Sequence, residues 1–202
     1  MQGLRPRGVL PQVTTVDAAG TTHVITGDRG SGKSTLCARV AREALAAGLE
    51  VCGVVTEAAG LDQAQGRRVT DLRSGRSRRF GVQSTGSGAP LPSAPPGSDP
   101  LTPSWLYDTG VFRWGNEVLG HATPCDVLII DELGPLEILG DRGWFTAFEV
   151  LARRHFGAAL VVCRPSLVAA LDNRLNGITG RVYHVTLDTR DVLPGMILEG
   201  LR

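Results

Sequence analysis

The sequence predicts one α/β domain with a mainly parallel β-sheet, helices on both faces and an inserted antiparallel hairpin. Short apolar runs such as Val51–Val55, Val127–Ile130 and Ala158–Cys163 alternate with segments whose apolar residues recur at helical spacing. Runs that are apolar throughout are typical of parallel strands buried on both faces. The 202 residues provide enough chain for one such domain and its core.

The composition argues against several classes of function. A net charge of +1 gives no electrostatic case for binding nucleic acid or an anionic membrane. No run of about eighteen apolar residues and no signal-peptide core is present, so we expect a cytoplasmic protein without membrane contact. The cysteines lie far apart in or beside apolar segments, which favours reduced core thiols over a metal site or disulfides: Cys37, Cys52, Cys125 and Cys163.

The segment Gly27–Ser34 has the G-x-x-x-x-G-K-S spacing of a nucleotide phosphate-binding loop, the Walker A motif. It follows the apolar run His23–Thr26 and opens into a segment of helical periodicity that we expect to end near Ala47, before Gly48. Glycines let successive backbone N–H groups converge on phosphates at the helix amino terminus. We therefore predict nucleotide contacts from Gly27, Asp28, Arg29, Gly30, Ser31, Gly32, Lys33, Ser34 and Thr35.

Two side chains of this loop have specific predicted roles. Lys33 is expected to bind the β and γ phosphates and assist catalysis, and Ser34 to bind Mg²⁺ through its hydroxyl. The plainer alternative is a glycine-rich turn before an ordinary helix. Lys33 is the sole lysine beside twenty arginines, and a compact ammonium fits a tight loop around phosphate better than a planar guanidinium does. The phosphate-binding interpretation is therefore favoured.

The remaining amino-terminal half predicts less regular structure around this β-α-β unit. Residues 1–20 form an extension whose Val13–Val16 segment could pair as a hairpin with Thr22–Thr26. Alternation in Gly66–Gly75 and Arg78–Val82 predicts an antiparallel hairpin beside the main sheet. Residues 85–103 are rich in Gly, Pro and Ser and predict a flexible loop.

The following segment holds most of the large aromatic residues. Trp105–Asp108 and Val111–Leu119 show helical periodicity, and we expect a helix there. Its aromatic stripe is more typical of a core than of a base-stacking platform. The aromatic residues are therefore assigned to the core and not to a ligand site.

Asp126–Glu132 predicts a buried parallel strand that carries two carboxylates to its carboxyl end, where open α/β sheets bind ligands. Asp131 fits a magnesium ligand, and Glu132 fits the group that orients or deprotonates the attacking water. The alternative is a strand that ends in a solvated acidic turn. The phosphate-binding loop upstream favours the functional interpretation.

The rest of the chain repeats the alternation of helices and strands. We expect a helix from about Trp144 to His155, a short helix over Ser166–Asp172, a final strand Arg181–Leu187 and a short tail. Arg164 directly follows the buried strand Ala158–Cys163, so it should lie at the same edge as Asp131. There it is either a catalytic sensor of the γ-phosphate or an exposed strand-end arginine.

These motifs resemble the cancer-related nucleoside-triphosphatase family of P-loop NTPases. The resemblance spans Thr22 to about Leu198, and its most specific part is the Ile-Asp-Glu-Leu-Gly-Pro-Leu-Glu of Ile130–Glu137. It implies a three-layer P-loop NTPase fold of the RecA-like branch over residues 21–202. It also implies slow, Mg²⁺-dependent hydrolysis of ATP, GTP and other nucleoside triphosphates, and a base or ribose contact from Arg190.

Two other functions remain open at this stage. A small-molecule or nucleotide kinase shares the loop but needs an acceptor pocket and usually an arginine-bearing lid, for which Arg67, Arg68, Arg78 and Arg79 are candidates. A nucleotide-gated binding module would use slow hydrolysis only to reset its conformation. The sequence names no protein partner.

Overall fold

The structure is a computed structural model that describes residues 20–58, 66–83, 105–177 and 179–200. Residues 1–19 of the expected extension, with the first strand of its predicted hairpin, lie outside the described residues, as does the predicted loop 85–103. Within the described ranges, no helix is both long enough and apolar enough to cross a membrane.

One eight-stranded sheet forms the centre of the molecule, in the order β5-β4-β3-β2-β6-β7-β1-β8. The five strands β2, β6, β7, β1 and β8 are parallel, and β3, β4 and β5 extend the sheet in antiparallel pairing. The strands are β1 (Thr21–Thr26), β2 (Val51–Ala58), β3 (Arg67–Asp71), β4 (Ser77–Gln83), β5 (Trp105–Tyr107), β6 (Cys125–Ile130), β7 (Phe156–Val162) and β8 (Thr179–His184).

Helices cover both faces of this sheet, as the sequence predicted. They are α1 (Lys33–Ala46), α2 (Thr109–Gly120), α3 (Pro135–Ile138), α4 (Thr146–Arg153), α5 (Val168–Arg174) and α6 (Leu193–Gly200), with a 3-10 turn at Pro165–Leu167 before α5. The first helix ends as predicted, because Gly48 adopts a positive φ of 83° that favours glycine.

The core consists of two apolar layers, one on each side of the sheet. On one side α1 and α6 bury Leu36, Val40 and Ile197 against strand residues such as Ile129 and Leu160. On the other side α2, α4 and α5 pack on the alternate residues of the same strands. The aromatic rings of Phe80, Phe112 and Trp144 meet in this second layer at centroid distances of 5.1–5.3 Å, in agreement with a core role.

Three sequence predictions need correction. Trp105–Tyr107 is not helical but forms β5, which pairs with β4, and the helix begins after Asp108, whose side chain accepts a hydrogen bond from the Gly110 N–H. The expected tail after the last strand contains α6, which buries Leu193 and Ile197 beside α1. The short helix α3 within the predicted signature was not expected either.

Candidate active site

The carboxyl ends of the parallel strands are held side by side by backbone hydrogen bonds. The N–H groups of Asp131 and Leu133, which follow β6, donate to carbonyl oxygens of β2 and β7 at 3.0 and 2.8 Å. The N–H groups of Cys163 and Val185, which follow β7 and β8, donate to carbonyl oxygens at the end of β1 at 3.1 and 2.7 Å. The strand order places β7 between β1, which carries the glycine-rich loop, and β6, which carries Asp131. The predicted site residues of three strands therefore share one edge of the sheet.

The glycine-rich loop has a backbone that other residues would strain. Gly27, Gly30 and Gly32 have φ angles of 148°, 82° and 97°. A Cβ atom on Gly27 would lie 2.3 Å from the carbonyl oxygen of Val185, so only glycine fits between β1 and the chain that follows β8. The backbone therefore favours glycine at both glycine positions of the motif, Gly27 and Gly32, and also at Gly30.

No side chain caps the amino terminus of α1, where Gly32 is the N-cap residue. This leaves the N–H groups of the first helical turn directed at the space above the loop. The Nζ of Lys33 donates hydrogen bonds of 2.7 Å to the carbonyl oxygens of Gly27 and Asp28, across the loop itself. Among the described residues, the buried Oγ of Ser31 has no hydrogen-bond partner. Anion donors and one ammonium thus converge on the same space.

Arg190 lies across this loop. In the segment between β8 and α6, the side chains and backbones of Thr186 and Thr189 exchange hydrogen bonds of 2.9–3.2 Å. This fixed turn places Arg190 so that its Cδ would be 3.0 Å from a Cβ on Gly32. The structure therefore brings Arg190 to the phosphate loop, a position that was indicated beforehand only by the family resemblance.

Asp131 is buried at 1 % exposure just beyond the end of β6. Its Oδ2 accepts a hydrogen bond of 3.1 Å from the Thr56 N–H, and its carbonyl oxygen accepts one of 2.5 Å from the Thr56 hydroxyl. Thr56 therefore fixes both the side chain and the backbone of Asp131. The sequence analysis assigned no role to Thr56, because this role depends on the pairing of β2 with β6.

The environment of Asp131 suits a bound cation. Burial raises the pKa of Asp131 from 3.8 to about 6, although hydrogen bonds from Ser34 and Thr56 and the charge of Arg67 lower it. Its second oxygen, Oδ1, is buried and has no hydrogen-bond partner within the described residues. A divalent cation would satisfy that oxygen and stabilise the charge, and the Ser34 hydroxyl already lies against the same carboxylate.

Glu132 and Arg164 form an ion pair at this edge. The Arg164 Nε donates to Glu132 Oε1 at 3.1 Å, and the Arg164 and Glu132 side chains are 52 % and 21 % exposed. The predicted proximity of Arg164 to the acidic pair is therefore observed. Both groups are partly exposed, so solvent screens part of their attraction.

Glu57 is a further carboxylate, near the end of the neighbouring strand β2. It borders a groove of about 280 Å³ between α1 and the β2–β3 strands, where its neighbours include Arg42, Leu45 and Thr70. This groove is on the α1 face of the sheet. Glu57 thus borders a groove, whereas Glu132 pairs with Arg164.

Glu137 has a structural role that its sequence position did not reveal. Its buried carboxylate accepts hydrogen bonds from the N–H groups of Gly134 and Trp144 at 2.8 and 3.0 Å. Burial raises its pKa, and these two N–H donors partly offset the effect. Glu137 thereby closes the segment that follows Glu132 into a fixed loop.

Comparison with known proteins gives a consistent set of relatives. A family model described as NTPase matches residues 22–198. The nucleoside-triphosphatases THEP1 of Thermofilum pendens and Hyperthermus butylicus are each 27 % identical to this chain. Their alignments cover 87 % and 89 % of this chain, and 92 % and 90 % of those proteins.

Two solved structures share the fold. THEP1 from Aquifex aeolicus is 22 % identical with a TM-score of 0.61, over 90 % of this chain and 99 % of that one. A human cancer-related nucleoside triphosphatase is 21 % identical with a TM-score of 0.64, over 90 % of this chain and 97 % of that one. At these identities the structures establish the common architecture alone.

Proposed function

The chain is a nucleoside-triphosphatase of the NTPase family, and from that premise we propose that it hydrolyses ATP, GTP and other nucleoside triphosphates to the diphosphate and phosphate with Mg²⁺. The observation that carries most weight is the arrangement of the carboxyl edge, where Lys33, Asp131 and the Glu132–Arg164 pair follow three adjacent strands. We place this chemistry within residues 21–202 and treat residues 1–20 as an extension.

The phosphate-binding groups come from the loop and the start of α1. The N–H groups between Gly30 and Thr35 surround the β and γ phosphates, and Lys33 exchanges the Gly27 and Asp28 carbonyls for phosphate oxygens. Arg190, which lies across Gly32, contacts the ribose or base. Asp28, Arg29 and Ser31 complete the loop around the phosphates.

Ser34 and Asp131 would hold Mg²⁺, since the free Asp131 Oδ1 and the Ser34 hydroxyl are the oxygen donors at this position. When bound, Mg²⁺ neutralises charge on the phosphate oxygens. Asp131 needs no rearrangement for this role, because Thr56 already fixes its other oxygen.

Glu132 acts as the general base and Arg164 stabilises developing charge. A Glu132 carboxylate oxygen accepts a proton from the attacking water, whose oxygen forms a bond to the γ-phosphorus as the bond to the β–γ bridging oxygen breaks. The diphosphate then leaves with the bonding electron pair. Arg164 must leave Glu132 to reach the γ-phosphate, which is a physical reason to expect slow turnover.

Broad base specificity follows from the distribution of these groups. Of the described side chains assigned to the site, Arg190 is the one that contacts ribose or base. The others contact phosphate, metal or water. Discrimination between bases requires buried polar groups that one base satisfies and another does not. We therefore expect similar rates with ATP and GTP.

Phosphate release from a panel of nucleoside triphosphates, with and without Mg²⁺, tests this function. The chain should release phosphate in the absence of any acceptor, and Lys33→Ala, purified identically, should remove that activity and control for contaminating phosphatases. Phosphate transfer only in the presence of an added nucleotide or small-molecule acceptor would instead identify a kinase. Nucleotide binding without any turnover would identify a nucleotide-gated binding module.

A further inference from the structure

Arg67 is the first residue of β3 and lies beside the site just described. It pairs with Ala58 of β2 on one side and Gly81 of β4 on the other. The pairing of β3 with β4 shifts by one residue between Arg67 and Arg68, since Arg68 faces Arg79. Such bulges change the direction of neighbouring side chains and are common next to active sites.

Arg67 and Arg68 occupy opposite faces of the sheet. Thr70, two residues after Arg68, lines the groove against α1, whereas Val69, two residues after Arg67, is buried in the opposite core layer. Because alternate residues of a strand share a face, Arg67 lies on the Val69 side and Arg68 on the α1 side. Two neighbouring arginines of one strand therefore have different surroundings.

Arg67 is connected to Asp131 through Thr56. Its Nη2 donates a hydrogen bond of 3.3 Å to the Thr56 carbonyl oxygen. The same Thr56 donates from its N–H to Asp131 Oδ2 at 3.1 Å and from its hydroxyl to the Asp131 carbonyl oxygen at 2.5 Å. The guanidinium is also close enough for its charge to stabilise the Asp131 carboxylate.

We propose that Arg67 is a positioning residue for the metal-binding carboxylate of Asp131. It holds the end of β2 so that Thr56 presents both of its donors to Asp131, and it balances the negative charge of a carboxylate that is buried before a cation arrives. This inference rests on the proposed function, because it assigns to Asp131 the role of a magnesium ligand. It gives the β3–β4 hairpin a function in the site other than that of a lid.

A role in holding the hairpin to the sheet would not account for this placement. Five residues of β2, Val54 to Ala58, already pair with β3 through the backbone. Removing the Arg67 side chain leaves that ladder intact. Removal of the Arg67 side chain should therefore weaken metal binding and leave the fold unchanged.

The test compares Arg67→Gln with Arg68→Gln, which removes the same charge from the adjacent residue on the other face. Mn²⁺ replaces Mg²⁺ as the probe, and its binding in the presence of a non-hydrolysable ATP analogue is followed by the electron paramagnetic resonance of free Mn²⁺. We expect Arg67→Gln to weaken Mn²⁺ binding about tenfold, the lower end for loss of a group that supports a metal ligand. Arg68→Gln should stay within about twofold of the unaltered chain.

Nucleotide affinity without metal is a second readout, which excludes a general defect in nucleotide binding. Affinity for the same analogue without any metal should be unchanged in both variants, because the phosphate loop is intact in each. Arg67→Lys keeps the charge but offers a different donor geometry, so its Mn²⁺ affinity should lie between those of the unaltered chain and of Arg67→Gln. If Arg67→Gln does not fold, Arg67→Lys is compared with Arg68→Lys and should still bind Mn²⁺ more weakly.

The outcomes separate this inference from the proposed function. Equal Mn²⁺ affinities for the variants of Arg67 and Arg68 would overturn the role of Arg67 while leaving the hydrolase intact. An equal loss of analogue affinity with and without metal would also overturn it, because the effect would not then pass through Asp131. If the unaltered chain bound nucleotide with no contribution from metal, the proposed function would fail and this inference with it.

Discussion

The two edges of the parallel sheet both carry charged clusters, but they use their hydrogen bonds differently. At the amino edge, Arg73 follows β3 and donates to the Glu50 carboxylate at 2.8 Å and to the carbonyl oxygens of His121 and Pro124 at 2.5 and 3.0 Å. The guanidinium thereby joins the hairpin to the start of β6. The Arg73 guanidinium therefore finds hydrogen-bond partners in the protein itself.

At the carboxyl edge, polar groups are buried without partners. Among the described residues, four buried side-chain oxygens lack a hydrogen bond, and three of them, on Thr26, Ser31 and Asp131, belong to this edge. The fourth, on Thr22, lies near the start of β1. A buried polar group without a partner costs about 1–3 kcal/mol, so such groups persist where a ligand supplies the missing contact.

This difference predicts opposite results of mutation at the two edges. Changes at the carboxyl edge should reduce activity while stability falls little or even rises. Changes at the amino edge should reduce stability with little loss of activity. The following predictions test this contrast, from the largest expected effect on activity to none.

Asp131→Asn should have the largest effect. It removes the charge that would hold Mg²⁺ while preserving the size of the side chain and its acceptor for the Thr56 N–H. Loss of metal-assisted charge stabilisation should lower kcat/KM by about 10³-fold, measured as phosphate release. Activity within about tenfold of the unaltered chain would show that another residue holds the metal.

The same variant should be more stable without ligand. Burial raises the Asp131 pKa from 3.8 to about 6, so the folded protein disfavours the charged form more than the unfolded chain does. The contribution of Asp131 is therefore most favourable below about pH 4 and is lost as the pH rises through about 6. A neutral asparagine side chain escapes this penalty, so Asp131→Asn should raise the free energy of unfolding by at most about 3 kcal/mol near neutral pH. Thermal denaturation should show that gain vanish in acid.

Glu132→Gln should have the next largest effect. Glutamine keeps the shape of the side chain but cannot accept a proton from water, so kcat should fall by about 10²-fold while nucleotide affinity changes little. Glu57→Gln is the matched control, because Glu57 ends the neighbouring strand but faces the α1 groove. Single-turnover hydrolysis and equilibrium nucleotide binding measure the two quantities. A larger loss of kcat from Glu57→Gln than from Glu132→Gln would indicate that Glu57, and not Glu132, is the general base.

Arg164→Ala should lower kcat by about tenfold. A buried donor to developing charge is worth more, but Arg164 is half exposed and part of its attraction is screened. Arg153→Ala, which removes an exposed ion pair with Glu149 on α4, provides the control and should not change kcat. A kcat within about twofold of the unaltered chain would exclude Arg164 as a sensor of the γ-phosphate.

Arg73→Ala should leave activity unchanged. It removes hydrogen bonds to carbonyl groups and an exposed ion pair at the amino edge, so the free energy of unfolding should fall by about 1–2 kcal/mol. Urea denaturation and phosphate release measure the two effects on one preparation. A loss of activity as large as that of Arg164→Ala would contradict the claim that changes at the amino edge affect stability and not activity.

Local patterns in the sequence were sufficient for most of the fold. The apolar runs predicted the strands β1, β2, β6 and β7, and the glycine spacing predicted the conformation of Gly27–Gly32. The strand β5 was missed because three residues have no measurable period, and its extended form comes from pairing with β4. The helix α6 was missed because Pro194 and Gly195 obscure its pattern, and it is stabilised by burial of Ile197 beside α1.

The site was predicted less completely for the same reason. Residues within a motif, such as Lys33 and Asp131, could be identified from spacing and chemistry. The contacts of Thr56 and Arg67 with Asp131 could not be predicted, because they arise only when β2 pairs with β6 and β3 pairs with β2. The pairing of Arg164 with Glu132 likewise depends on the adjacency of β6 and β7.

Labelling of Lys33 tests most directly whether the carboxyl edge binds nucleotide phosphates. An acyl-phosphate derivative of ATP acylates amines next to bound phosphate, and Lys33 is the only lysine in the chain. Mass spectrometry should find the label on Lys33 and, at most, on the amino terminus, and excess ATP with Mg²⁺ should protect Lys33. Labelling of Lys33 that persists unchanged under saturating ATP with Mg²⁺ would contradict the assignment of this edge as the nucleotide site.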